Sequence, residues 1–297
     1  MKTTKKHTWK VFKFGGSSLA NTACFVRVSK IILDSYFASE EQPHSIVVSA
    51  MGGFTDLLIK ISKDVSAESL KSSSEYRTII DRISIISNDL LDSSESEKYL
   101  QEVSEDFIKI KKILDQSNNN EDASREERGD IIAGYGELWS ARLLNIYLNK
   151  LLASKKSNFI DSRQAIFLKA CDTGDNIDWI KSKESFKNII TSSPSKIYVI
   201  TGFIASKENG TPTNLGRNGS DYSAAIFASL FDAEELIIWT DVDGVLSADP
   251  NKVKNARLIS NLSYNEAMEL AYFGAKVIHP KTFLIIHIQV LLNLQIY

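Results

Sequence analysis

Short apolar runs rich in β-branched and aromatic residues recur along the chain, each closed by a polar or glycine turn and followed by residues at helical spacing. Trp9-Lys10-Val11-Phe12-Lys13-Phe14, Ser45-Ile-Val-Val-Ser49, Lys196-Ile-Tyr-Val-Ile-Thr-Gly-Phe203 and Glu235-Leu-Ile-Ile-Trp-Thr240 read as strands. Their nearly unbroken apolar character predicts burial on both faces, which is the mark of a parallel sheet covered by helices. A helical pattern is expected from Leu19. A second places Leu138, Ala141, Leu144 and Leu148 on one face and puts Glu137 early in a helix that packs on the core. Ser263-x-x-Glu266 forms a capping box that opens a helix through Met268, Leu270 and Tyr272, which Gly274 ends. Residues 65–128 are rich in Ser, Glu, Lys, Asp and Asn, with a loop at 117–121, and read as helical excursions at the edge of the same domain. No repeat of solenoid period is visible.

Two turns carry most of the chemistry. Leu215-Gly-Arg-Asn-Gly-Ser-Asp-Tyr-Ser-Ala-Ala225 packs a cation, two glycines, hydroxyls and a carboxylate into a turn that enters a helix. Glycines let backbone approach a ligand closely, and Ser220 or Asp221 is expected to cap the helix, whose first N–H groups favour negative charge. Arg217 adds a planar fork suited to carboxylate or phosphate. The second turn, Lys13-Phe-Gly-Gly-Ser-Ser18, joins a strand to a helix in the layout of a phosphate cradle, although by itself it fits a tight strand-to-helix turn equally well. Neither a P-loop nor a dinucleotide fingerprint occurs. In parallel sheets ligands lie beyond the carboxyl ends of the strands, where Lys13, Ser49 and Thr240 fall.

These turns, together with Val48-Ser-Ala-Met-Gly-Gly-Phe-Thr55, Trp239-Thr-Asp-Val-Asp-Gly244 and Phe273-Gly-Ala-Lys-Val-Ile-His-Pro280, stand in the order found in aspartokinases. The chain resembles that family from about Lys10 to Thr282, and most of all the kinase portion of the bifunctional aspartokinase/homoserine dehydrogenases. The resemblance implies a three-layer α/β/α sandwich with a mainly parallel central sheet, a catalytic domain over 9–282 and an atypical apolar tail over 283–297. Nothing after Thr282 has the length of the small regulatory domains that follow in aspartokinases, so a catalytic domain alone is the expectation, with no feedback inhibition by threonine or lysine.

By the same resemblance the reaction is transfer of the ATP γ-phosphoryl group to the side-chain carboxylate of L-aspartate, giving 4-phospho-L-aspartate for threonine, lysine and methionine synthesis. Lys13 and Asp221 are then catalytic. Ser49, Thr55, Glu137, Arg217, Ser220 and Asp221 hold aspartate, with Glu137 facing the ammonium and Arg217 forking the α-carboxylate. Lys13, Gly15, Gly16, Ser17, Thr240, Asp241 and Lys276 hold the nucleotide, and Mg2+ arrives with it without a protein metal cage. No base is required, because the nucleophile is already ionised at neutral pH. Leu246 stands where the family has Tyr and Asn251 where it has Arg, which puts nucleotide affinity in question; Lys252 or Lys254 supplies charge nearby. Two other readings remain: a catalytically impaired remnant or nucleotide-binding partner subunit that keeps the fold, and a kinase of the same fold for another small acid.

Composition narrows the rest. The 297 residues are 43% hydrophobic and 24% charged, with a net charge of -2, which gives no electrostatic footing for nucleic acid. Two cysteines, Cys24 and Cys171, are too far apart in sequence for a Cys-x-x-Cys site and are expected as reduced, mostly buried thiols. The basic start Met1 to His7 runs into a strand with charges rather than a signal-peptide core, so the cytoplasm is the default. The tail Phe283 to Tyr297 is apolar but shorter than the roughly 20 residues of a spanning helix, and no membrane role is expected; a buried strand or helix is. His7, His44, His279 and His287 assemble no site. A homo-oligomer is open.

Overall fold

A computed structural model describes residues 8–39, 42–115, 122–152, 157–171, 175–216, 218–240 and 291–296, with 247, 253, 255–257, 259, 262, 263, 265–267 and 269 between the last two stretches. The strands are β1 (Lys10–Phe14), β2 (His44–Val48), β3 (Ser157–Ile160), β4 (Phe167–Lys169), β5 (Asn176–Ile177), β6 (Ile197–Thr201), β7 (Ile204–Lys207), β8 (Pro212–Asn214), β9 (Glu235–Thr240) and β10 (Leu291–Ile296). The helices are α1 (Thr22–Ala38), α2 (Phe54–Asp64), α3 (Ser74–Leu90), α4 (Ser93–Asp115), α5 (Asp122–Ala133), α6 (Tyr135–Leu151), α7 (Trp179–Ser192) and α8 (Gly219–Leu230). Six strands form a sheet in the order β10-β9-β1-β2-β6-β3, and every pairing in it is parallel. A smaller sheet, β5-β4-β7-β8, stands beside it.

Successive side chains of a strand point to opposite faces, and here both faces are packed. Phe12, Phe14, Ile46, Val48, Ile197, Val199 and Ile237 enter one core with α1, α2, α3, α4 and α6. Their neighbours Val11, Val47, Tyr198, Ile200, Leu236 and Ile238 enter a second core with α7 and α8. The result is the three-layer sandwich. It explains why the strands carry no polar alternation.

The helices within 65–128 bury more than their polar texture suggests. Ile79, Ile83, Ile86 and Leu90 of α3 and Tyr99, Val103, Phe107 and Ile110 of α4 belong to the same core as β1 and β2. The polar texture of the segment reflects the exposed faces of amphipathic helices. Buried Asp106 fastens α4 to α6 by accepting hydrogen bonds from Trp139 Nε1 at 3.2 Å and from Arg142, while Lys109 Nζ lies 2.8 Å away. The expected loop at 117–121 lies outside the described residues.

Boundaries shift by a few residues. Ser17–Leu19 form a single 3-10 turn, and α1 starts at Thr22 rather than at Leu19, because the Asn21 side chain accepts from the Cys24 N–H at 3.0 Å and caps the helix there. The capping box is present: Glu266 Oε2 accepts from the Ser263 N–H at 2.8 Å, and Ser263 Oγ accepts from the Glu266 N–H at 3.3 Å. The continuation through Met268, Leu270, Tyr272 and Gly274 lies outside the described residues. Cys24 is half-buried and Cys171 exposed, so the thiols are less buried than expected. His44 is buried between Phe12 and Tyr36, and burial lowers its pKa to about 4, which keeps it neutral. Part of the apolar tail forms β10, parallel to β9.

Candidate functional site

The strand order places β1 between β9 and β2, with α1 of the β1–β2 crossover in one core and α8, which leads into β9, in the other, an arrangement that leaves a crevice at the carboxyl ends. The Ser49 N–H donates to the Phe14 carbonyl at 3.1 Å, and the Gly202 N–H to the Val48 carbonyl at 2.8 Å, which aligns the turns after β1, β2 and β6 in one row. They surround a cavity of about 570 Å3 lined by Lys13, Gly15, Gly16, Ser49, Thr55, Glu137, Ser220 and Asp221, among others. Eight of the residues singled out from sequence therefore share one concave surface of a size suited to a small-molecule site.

Lys13 Nζ lies 2.8 Å from Asp221 Oδ1, an ion pair whose side chains are 14% and 12% exposed. Burying a lone lysine or aspartate at this depth is costly, and the pairing offsets part of that cost. The pair joins the last turn of β1 to the first turn of α8.

Glu137 presents the opposite situation. It is 3% exposed; Oε1 accepts from the Ala50 N–H at 3.2 Å, while Oε2 has no hydrogen-bond partner among the described residues. Burial without a cation pushes its pKa up to about 8, against which the Ala50 bond works only partly. The unpartnered oxygen on the cavity wall is a seat for a donor, and a cationic one restores the carboxylate. Close packing fixes its place: a Cβ on Gly136 would meet Ala50 Cβ at 2.7 Å, and Ser140 Oγ donates to the Ser49 carbonyl at 2.6 Å. Thus α6 rests directly on the turn after β2.

Two helix N-termini open on the same cavity. Gly53 at φ 82° precedes α2 and Asn218 at φ 54° precedes α8, and neither helix has a side-chain cap. The expected capping by Ser220 or Asp221 is not what forms: both lie inside the first turn of α8, Asn218 takes the cap position in a left-handed conformation, and Asp221 turns to Lys13 instead. The N–H groups of Gly219, Asp221 and Phe54 already bond to backbone carbonyls, but the positive ends of both helices still favour anions, so the cavity offers two anion seats facing a carboxylate that has no cationic partner among the described residues. That is the charge pattern of a zwitterion with a second anionic group.

Other residues of the cavity wall were not foreseen. Phe203 has φ 64°, donates its N–H to Ser223 Oγ at 2.9 Å and accepts from the Leu215 N–H at 2.8 Å. A Cβ on Gly219 would meet its ring at 2.8 Å, so this glycine is required by close approach. A bulky residue with positive φ is strained, and such strain collects at functional sites. Its only sequence signal was the strand end Thr201-Gly202. Asp56, Asp130 and Asn214 also line the wall, and nothing in their spacing marked them.

Ser17 is exposed in the 3-10 turn and is not among the residues that line the cavity. Thr240 ends β9, one residue beyond the Trp239 that pairs with Phe14. Arg217, Asp241 and Lys276, and the departures Leu246 and Asn251 with Lys252 and Lys254, lie outside the described residues, as do His7, His279 and His287. Gly216 and Asn218, the neighbours of Arg217, line the cavity. Among the described residues no group of three His, Cys, Asp or Glu side chains is placed to hold a metal ion, and no helix is long and apolar enough to cross a membrane.

Comparison with known proteins decides the family, since residues 8–292 match the amino acid kinase family. The chain belongs to that family. Among amino acid kinases it is 34% identical over 279 residues to the chloroplastic bifunctional aspartokinase/homoserine dehydrogenase 2 of Arabidopsis thaliana, covering 94% of this chain and 30% of the relative. It is 36% identical over 272 residues to bifunctional aspartokinase/homoserine dehydrogenase 2 of Escherichia coli strain K12, covering 91% of this chain and 32% of that one. The chain thus spans about a third of the length of these relatives. Its fold matches E. coli aspartokinase III, solved in complex with aspartate and ADP, with a TM-score of 0.76 and 26% identity over 96% of this chain and 61% of that one.

Proposed function

We propose that this chain is an aspartate kinase, which transfers the γ-phosphoryl group of ATP to the side-chain carboxylate of L-aspartate, with 4-phospho-L-aspartate and ADP as products. The observation that carries the reading is the buried, unpartnered Glu137 oxygen facing two uncapped helix N-termini across one cavity. An ammonium seated on Glu137 and two carboxylates on donor-rich turns describe an acidic amino acid. Relatives that are aspartokinases support the choice of aspartate.

The residues then take distinct tasks. Glu137 holds the ammonium; Ser49, Thr55, Ser220 and the start of α8 hold the carboxylates, with Arg217 assigned to the α-carboxylate by resemblance. Lys13, fixed by Asp221, stands where charge on the transferring oxygens must be neutralised, and the Gly15-Gly16 backbone approaches closely because a Cβ on Gly16 would meet the Ala50 carbonyl at 2.9 Å. A side-chain carboxylate oxygen of aspartate attacks the γ-phosphorus as the bond to the bridging oxygen breaks, and that electron pair leaves with ADP. No proton moves. Mg2+ bound to the ATP phosphates and water would neutralise charge there, as suits a site without a protein metal cage among the described residues. Ser17, Thr240, Asp241 and Lys276 remain assigned to the nucleotide. The unpaired thiols suit a reducing compartment such as the cytoplasm.

Steady-state ADP release with a panel of acceptors tests the reading. L-Aspartate should support turnover, and succinate, which lacks the ammonium, should not. Equal rates with the two acids would show that Glu137 is not an ammonium seat and would favour a kinase for another small acid.

A further inference from the structure

The helical segment between α2 and α5 reaches the site through one side chain. Arg82 lies in the middle of α3, and its Nη2 donates to the Ala20 carbonyl at 3.0 Å, just past the turn that follows β1. Its guanidinium carbon stands 4.6 Å from the centroid of the Phe54 ring, the first residue of α2 after the turn that follows β2. A Cβ on Gly53 would come within 3.8 Å of Nη1. One planar cation therefore bridges the segment just past the first glycine turn and the start of the helix that follows the second.

The two turns depend on such a fastening. They meet backbone to backbone: a Cβ on Gly16 would lie 2.9 Å from the Ala50 carbonyl, and one on Gly52 would lie 3.2 Å from the Gly16 carbonyl and 3.3 Å from Ala20 Cβ. The Ser49 N–H to Phe14 carbonyl bond aligns the turns where they leave the strands, but beyond it these side-chain-free surfaces supply little packing energy of their own, so a restraint from outside adds to their register. Arg82 is half-buried, and among the described residues no carboxylate lies within ion-pair distance of it. Its guanidinium donates a hydrogen bond through one nitrogen while its central carbon lies over a ring, a span between two contacts that the broad planar fork of arginine makes more readily than the compact ammonium of lysine. A second contact from the same helix, Thr22 Oγ1 to Asp89 Oδ2 at 2.8 Å, holds the start of α1.

We propose that Arg82 is a positioning residue that clamps the turns after β1 and β2 against each other and so sets the spacing between the nucleotide and acceptor sides of the site. The inference rests on the kinase reading for its catalytic consequence and on geometry alone for the clamp. Misplacing reacting groups by about an ångström costs up to roughly 100-fold in rate, so R82M should lower kcat/KM for ATP about 10- to 100-fold, whereas R77M, at an exposed position of the same helix, should leave it unchanged.

Amide hydrogen exchange on the ligand-free chain decides the clamp independently of turnover. In R82M, exchange should quicken at least about 10-fold at 15–20 and 51–57, as expected for loss of a local restraint, and stay unchanged at 157–166 and 197–207. Unchanged exchange in the two turns, or an equal rise throughout, would overturn the clamp. If R82M does not fold, R82K takes its place: it keeps the charge and lacks the planar face, so exchange should rise in the same two turns only, and wild-type exchange there would overturn the proposal. A wild-type chain without kinase activity would sink the functional reading and leave the exchange test standing.

Discussion

Glu137 sets the behaviour of the site at the level of single residues. With burial holding its pKa at about 8, the empty folded chain keeps a proton there at pH 7 that the unfolded chain has lost. Between the ordinary carboxyl range and about 8 the folded state binds more protons, so this group's contribution to stability falls as pH rises through that window and is fully present only below it. An ammonium placed on the carboxylate restores ionisation, and aspartate binding at neutral pH should release close to one proton. Calorimetry in two buffers of different ionisation enthalpy reads this directly, and binding without proton release would contradict the assignment. E137Q should abolish the release, flatten the fall of Tm between pH 5 and 8, and raise KM for aspartate about 10- to 100-fold, the worth of one charge-assisted hydrogen bond. Lys13 answers to a different measurement. K13A should lower kcat at least about 100-fold, as for loss of one preorganised group that stabilises transition-state charge, and a variant that keeps more than about a tenth of the wild-type rate would remove Lys13 from the chemistry. Locally, lysine before paired glycines fits a tight turn equally well and glutamate early in a helix fits a solvated face, so both residues took their roles from the family resemblance. Phe203 had no such signal, since its positive φ follows from the approach of Gly219 and from the Ser223 hydroxyl, contacts between segments that no local pattern encodes.

At the scale of elements, α6 acts as a lever that sets where Glu137 stands. It rests on the turn after β2 through Gly136 and Ser140 and is tied to α4 through Asp106 and Trp139. A methyl group at Gly136 would collide with Ala50, so G136A should destabilise the fold by about 1–3 kcal/mol, the usual cost of overpacking, and raise KM for aspartate more than KM for ATP. Equal changes in the two constants would show that α6 does not act on the acceptor side alone. Four strands, β1, β2, β6 and β9, were legible in the sequence because burial on both faces leaves an unbroken apolar run, whereas β3 and the short strands of the smaller sheet carry no such run. The helices over 65–128 were legible as helices, but their depth was not: Ile79, Ile83 and Ile86 reach the shared core from a surface of Ser, Glu and Lys. The start of α8 was misplaced for a related reason. Asn, Ser and Asp all favour a helix cap, and the choice among them is made by Lys13, which takes Asp221 from more than two hundred residues away in sequence.

Over the whole molecule, the two cores meet at one sheet whose outer strand beside β9 is β10, so residues 291–296 of the apolar tail belong to the sheet. Deleting residues 291–297 should strip a ladder from β9, lower Tm by at least about 2 °C, as expected for losing more than about 1 kcal/mol in a domain of this size, and favour aggregation through the exposed edge. An unchanged Tm would show that β10 adds nothing to the fold. The central claim concerns the reaction, and trapping the acyl phosphate tests it most directly. The purified chain, incubated with ATP, Mg2+, L-aspartate and hydroxylamine, should form aspartyl hydroxamate at a rate that requires both substrates and disappears in K13A. A folded chain that binds ATP and aspartate yet forms no hydroxamate above the K13A background would contradict the account.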